Sequence, residues 1–140
     1  MSRPISFRLP DDLLEQLDHE ADASGTSVTS LVATLLNEGI NTRRFPGIIY
    51  RDGPTGRRAG LVSGPDVWEV IRTVGASKGR GEKRLRAAAD AAGLPLSQVR
   101  LAVDFYAAHS TEIDARIEAD EREAERVREL ITRRERLLSS

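Results

Sequence analysis

The sequence predicts a mainly α protein in three parts. A short N-terminal strand, shared between two chains in a swapped dimer, leads into two helices. A small β-hairpin plus helical module follows, and a long helix ends the chain. Three observations carry this. The alternation of Ile5, Phe7 and Leu9 with Pro4, Ser6 and Arg8 has period two, the spacing of a half-buried strand. One other stretch reads clearly as strand, and it begins only at Ile48. Most of the remaining apolar residues recur at helical spacing.

A lone strand exposes unpaired N–H and C=O groups on both edges and one apolar face. The nearest identical strand lies on a second copy of the chain, so the two are expected to pair as a ribbon. Ile5, Phe7 and Leu9 would then face a shared core, with Ser6 and Arg8 facing out. Joining an ordinary sheet of its own chain is the competing reading, and few strands are on offer. Pro10-Asp11-Asp12 is a helix start with acid in the first turn. Leu13, Leu14, Leu17 and Ala21 follow at helical spacing. Ser24-Gly25-Thr26-Ser27 reads as a turn, with Ser27 a good N-cap. The second helix carries Leu31, Leu35 and Leu36 beside Val28 and Val32, and is expected to end near Gly39.

Strand, helix, tight turn and helix over residues 3–40, with Leu-Pro-Asp-Asp at the first helix and Gly25-Thr26-Ser27 before the second, resemble the ribbon-helix-helix family of CopG/Arc/MetJ type. The resemblance implies a DNA-binding dimer whose paired strands enter the major groove. By position, Ser6 and Arg8 become base readers, Arg8 suiting a guanine edge. Ser27, Val28 and Thr29 become a phosphate clamp acting largely through backbone. Pro4 stands where a polar reader is usual, and Arg3 is the candidate to replace its contact.

Composition bounds the rest. At 140 residues the chain fits one domain or two small modules, and 39% hydrophobic with 4% aromatic content allows a core of Leu, Val, Ile and Ala. The first forty residues are too few to bury a sizeable core alone, so the dimer is expected to be obligate. There is no cysteine, hence no disulfide or thiolate metal site. No apolar run approaches the ~20 residues of a membrane span, and no signal peptide is seen. A cytoplasmic protein with no membrane partner is expected. The formal net charge of −1 is not a nucleic-acid signature, but its distribution is uneven. The first helix is acidic (Asp11, Asp12, Glu15, Asp18, Glu20, Asp22), whereas residues 43–58 and 72–86 are basic. Such stretches suit phosphates, and equally serve solubility.

Residues 41–47 read as a linker, with Pro46 and Gly47 breaking periodicity. Ile48-Ile49-Tyr50-Arg51 is a short strand, Asp52-Gly53-Pro54-Thr55-Gly56 is turn chemistry, and residues 57–62 are the candidate return strand. Ser63-Gly64-Pro65-Asp66 opens a helix, with Pro65 near its first position and Val67, Trp68, Val70, Ile71 and Val74 on its apolar face. Neither Gly-rich stretch is a nucleotide loop. Residues 53–58 lack the Gly-Lys-Ser/Thr ending, and residues 75–81 follow no strand.

Residues 82–92 form an Ala-rich helix, residues 93–96 a turn, and Ser97 is expected to cap a helix striped by Val99, Ala102, Val103 and Tyr106. The spacing Ala89, Gly93, Val99 resembles a helix-turn-helix, which wants a small residue at the crossing and positive φ at the turn. That spacing serves packing as well as DNA reading. If it reads DNA, Ser97, Gln98 and Arg100 are the exposed candidates.

Tyr50-Arg51-Asp52-Gly53, Val67-Trp68-Glu69-Val70, residues 96–102, Phe105-Tyr106-Ala107-Ala108-His109 and Glu112-Ile113-Asp114 are together similar to small domains carried by VapB-type antitoxins. This second resemblance spans about residues 47–118. Leu61-Val62-Ser63-Gly64-Pro65 stands where those domains usually have a Gly-Thr-Arg-like segment. It implies a toxin–antitoxin operon with a PIN-like ribonuclease as the neutralised partner.

No enzyme chemistry is legible. His19 and His109 are far apart and in no metal spacing, so catalytic, metal and cofactor sites are expected to be none. Ser110 or Thr111 restarts a helix that can run to Leu138, with Glu118–Arg122 and Glu129–Arg133 as i,i+4 pairs. Ile113, Ile117, Ala124, Val127, Ile131 and Leu138 keep 4-3 spacing, but Asp120 and Arg134 interrupt the seam. A sparse stripe of this kind suits a partner's groove, with Val127, Leu130, Ile131 and Leu138 as candidate toxin anchors; packing on its own module is the alternative.

The expected division is residues 1–42 for DNA binding and dimerisation, 47–110 for the hairpin and helical module, and 111–140 for the charged helix. The expected function is a DNA-binding repressor that is the antitoxin of a type II pair. The expected partners are double-stranded DNA, a second copy of the chain and a ribonuclease toxin. A stand-alone transcription factor with a second DNA or effector site, and an adaptor that uses the ribbon only to dimerise, are the rival readings.

Overall fold

The computed structural model describes residues 2–53 and 56–140. It is mainly α, with two compact units, Met1–Arg44 and Phe45–Ser140.

In the first unit, residues 2–10 are neither helical nor paired with any strand of their own chain. Helix α1 (Asp11–Ser24) starts at Pro10, with Asp11 and Asp12 in its first turn, and stops at Gly25, whose φ of 65° is left-handed. Helix α2 (Val28–Arg44) follows. It runs past Gly39, where the sequence suggested an end. One glycine costs a helix only about 1 kcal/mol, and no proline intervenes before Pro46. Arg43 and Arg44 complement the dipole in its last turn, and Asn41 is buried. The expected linker therefore shrinks to residues 45–47. The core is small: Leu17, Ala21 and Leu31, with Leu9, Val28 and Val32 packed against it. Leu35 and Leu36, expected on its stripe, are exposed, as are Leu13 and Leu14.

In the second unit, β1 (Ile48–Arg51) pairs antiparallel with β2 (Arg58–Leu61), Ile48 facing Leu61 and Arg51 facing Arg58. Pro54 and Thr55 of the expected turn lie outside the described residues. Helix α3 (Val67–Ala76) opens from the expected Ser63–Asp66 stretch with Asp66 at its N-cap and Pro65 just outside it, and the Asp66 N–H donates to Glu69 Oε2 at 3.0 Å. Helix α4 (Glu82–Ala92) ends at Gly93, again left-handed, with φ of 66°. Helix α5 (Leu96–Ala108) begins one residue before Ser97. The N–H groups of Gln98 and Val99 donate to the Pro95 carbonyl, which places the N-cap at Pro95 rather than Ser97. Helix α6 (Ser110–Ser139) follows a break at His109.

The core gathers Ile48, Ala59 and Leu61 from the hairpin with Val67, Val70, Ala88, Ala89, Val99, Ala102, Phe105 and Ile113 from the helices. Phe105, not read as part of the stripe, is its largest fully buried side chain, while Val103 and Tyr106 are only half-buried. Its ring meets Phe45 edge-on at 5.3 Å and lies 4.5 Å from the His109 ring. Helix α6 contributes Ile113 and Ile117 to this packing, and Arg72 pairs with Asp120 at 2.5 Å. From Glu125 onward every residue is exposed. The ion pairs on that stretch are Glu123–Arg126 and Glu125–Arg128, three residues apart rather than the expected four. Both spacings bring side chains together on a helix.

Candidate nucleic-acid interface

The N-terminal segment and the first turn of α2 carry the site. Arg3, Ser6 and Arg8 are exposed, and their side chains make no hydrogen bond or ion pair among the described residues. Ile5 is 82% exposed and Phe7 56%, although alternation would send both into a core.

At α2, Ser27 Oγ accepts the N–H of Ser30 at 3.1 Å, and the Ser27 carbonyl accepts the N–H of Leu31 at 2.9 Å. Val28 turns its side chain toward the small core, and Thr29 is exposed. Among the described residues nothing accepts from the N–H groups of Val28 and Thr29. These two donors, at the positive end of a helix dipole, can hold an anionic oxygen.

The other candidates fare differently. Ala89 and Val99 are buried and Gly93 is left-handed, so the three positions of that spacing serve packing between α4 and α5. Ser97 is exposed and Gln98 half-buried. Arg100, however, holds both carboxylate oxygens of Glu82, at 2.6 and 3.0 Å. That hydrogen-bonded pairing lowers the Glu82 pKa and raises that of Arg100. To read a base edge, Arg100 would first have to give up this half-exposed pair. Val127, Leu130, Ile131 and Leu138 are all exposed on the outer half of α6.

One cluster went unread in the sequence. The Asp66 carboxylate, 8% exposed, accepts from Arg51 Nη2 at 2.9 Å, from Arg58 Nε, and from the Trp68 indole N–H at 3.2 Å. Arg51 also donates to the carbonyls of Leu61 and Gly64, both at 3.1 Å. Burial pushes the Asp66 pKa up, but hydrogen bonds from Arg58 and Arg51, the Arg58 charge and the indole together hold it below its ordinary value. The cluster ties the hairpin to the start of α3. Its sequence signal was Asp66 followed three residues later by Glu69, the capping-box spacing. Gly60 belongs to it too, since a Cβ there would sit 2.0 Å from Arg51 Nη2.

The two helices joined by a tight turn, preceded by an unpaired segment, are what one family model matches in this chain. The matching family model is the CopG-like RHH_1 or ribbon-helix-helix domain, RHH_5, and it covers residues 5–44. Comparison with curated proteins and with solved structures gives no match. No helix among the described residues is long and apolar enough to cross a membrane.

Proposed function

We propose that the chain is a cytoplasmic, sequence-specific repressor that acts as an obligate dimer. Residues 5–9 of two chains pair as a ribbon in the major groove. Ser6 and Arg8, with Arg3 beside them, meet base edges. The first turn of α2, at Ser27, Val28 and Thr29, holds a backbone phosphate. The observation that carries this is the unfinished core of the first unit. Ile5, Phe7, Leu13, Leu14, Leu35, Leu36 and Ile40 are each at least 40% exposed, while among the described apolar residues of this unit only Leu17, Ala21 and Leu31 are buried. So much apolar surface on so small a unit calls for a partner, and a second copy offers the strand the first one lacks.

We further infer that the protein is the antitoxin of a type II pair, autoregulating its operon. The module of residues 47–110 and the helix of residues 111–140 would serve a PIN-like ribonuclease, with Val127, Leu130, Ile131 and Leu138 as anchors. The exposed stripe on α6 supports this over a purely structural role for that half of the helix. Selecting duplexes from a random library with the full chain tests DNA reading. Enrichment of one short, two-fold-related site, competed poorly by random duplex, is the expected result. Failure to retain any duplex at low salt leaves only the dimeric adaptor. Co-purification of a small ribonuclease encoded next door is the expected sign of the antitoxin role; its absence with DNA reading intact favours a stand-alone repressor.

A further inference from the structure

We propose that the segment from Lys78 to Arg86 is a second, sequence-independent contact for the phosphodiester backbone of duplex DNA, made by the second unit. The inference rests on the DNA-binding function proposed above, and goes beyond it in assigning DNA contact to a unit outside the matched domain.

Five cations, Lys78, Arg80, Lys83, Arg84 and Arg86, fall within nine residues of a chain whose formal net charge is −1. All five are exposed. The one acid among them, Glu82, is held by both terminal nitrogens of Arg100, whose charge offsets it and leaves the five cations uncompensated. Among the described residues Lys78, Arg80 and Lys83 form no ion pair with an acid, and Arg86 feels only the charge of Glu82, which Arg100 already holds. A surface that leaves this many cations unmatched attracts a polyanion.

The backbone favours the same ligand. Gly79 and Gly81 both have positive φ (97° and 55°), and Arg84 Nε donates to the Ser77 carbonyl at 3.0 Å, which closes the loop against the start of α4. Gly81 offers no side-chain cap to that helix start. Several features point to a duplex backbone rather than to a nucleotide or bases. The loop follows α3, not a strand, so it is not a mononucleotide cradle. Residues 76–92 contain no aromatic side chain on which a base could stack. Only residues 45–47 separate α2 from β1, so once the ribbon is seated the second unit is held at high local concentration near the same duplex.

The test compares three full-length proteins on selected and on random duplex, across a series of salt concentrations. One is the wild type. The second carries Lys78→Gln, Arg80→Gln, Lys83→Gln and Arg86→Gln. The third, matched in charge, carries Arg122→Gln, Arg133→Gln, Arg134→Gln and Arg136→Gln. Each lost phosphate contact flattens the slope of log affinity against log salt by about 0.9. The patch variant is expected to lose at least about 2 from that slope, and at least tenfold in affinity, on selected and random duplex alike, with preference unchanged. The matched variant is expected to keep the wild-type slope. Equal behaviour of the two variants, with wild type bound, overturns this inference alone. Wild type that binds no duplex overturns both it and the function on which it rests. Circular dichroism confirms that each variant is folded.

Discussion

Ser27 Oγ lies 3.1 Å from the Ser30 nitrogen and accepts its N–H, so the side chain caps its own helix, as its position before α2 suggested. This leaves the N–H groups of Val28 and Thr29 as the donors for an anion. The role of Ser27 becomes orientation of the turn rather than direct contact. Ser27→Ala is expected to cost about 1 kcal/mol of stability through the lost cap, with a modest and sequence-independent loss of DNA affinity. Ser27→Asp retains the cap but sets a carboxylate at the anion's position, and is expected to weaken DNA binding well beyond Ser27→Ala. Urea unfolding together with duplex titration separates the two. Equal DNA affinity in both variants would remove the phosphate from this turn.

Arg8 is exposed in the N-terminal segment, with no side-chain hydrogen bond or ion pair among the described residues. Arg8→Ala is expected to relax preference at one base position of each half-site by ~1–3 kcal/mol, if the guanidinium meets a guanine edge with two hydrogen bonds. Competition between duplexes that differ at single positions measures it. Uniform weakening across all of them would make Arg8 a phosphate contact instead.

Asp66 joins Arg51, Arg58 and Trp68 in the second unit. Asp66→Asn leaves two guanidiniums short of their counter-charge, and is expected to destabilise the unit by about 2–3 kcal/mol. This is below the range for a fully buried pair, because Arg51 and Arg58 keep 31% and 26% of their exposure. The native Asp66 pKa lies below the unfolded value near 3.8. Its contribution is therefore complete above that pH and is lost as pH falls through the native value. The stability gap between wild type and variant should be constant near neutrality and narrow below about pH 3.8. A gap independent of pH would contradict the ionised hub.

Helix α6 divides into a packed half and an exposed half. Phe105→Ala, in the core that Ile113 and Ile117 help to close, is expected to cost about 3–5 kcal/mol. Val127→Ser with Ile131→Ser is expected to change stability by no more than about 0.5 kcal/mol, as for other exposed sites. In the antitoxin reading the same pair abolishes ribonuclease binding. Thermal unfolding of each variant checks the first two outcomes, and a large loss from the Val127/Ile131 pair would place that half of the helix in a core.

Much of this was legible in the sequence, because local signals decide it. The helix stops at Gly25 and Gly93 follow from left-handed backbone, and strand β1 from a run of β-branched and aromatic residues. The errors have a common cause. The end of α2, the start of α3 and the cap of α5 were each placed by a single residue type. One glycine proved too small a cost to end α2 at Gly39, α3 begins one residue after Asp66, and the Pro95 carbonyl took the donors expected at Ser97. The Asp66 hub was invisible because its guanidiniums lie 15 and 8 residues upstream and meet it only once the hairpin closes. Arg100 illustrates the reverse: exposure was read correctly, but its pairing with Glu82, 18 residues away, was not.

The most direct measurement of the central claim is an isotope-filtered nuclear Overhauser experiment on a sample mixed from labelled and unlabelled full-length chains. Contacts between Cα protons of residues 5–9 in one copy and residues 5–9 in the other, in antiparallel register, are the predicted result. A monomer, or a dimer in which this segment shows contacts only within its own chain, would contradict the account.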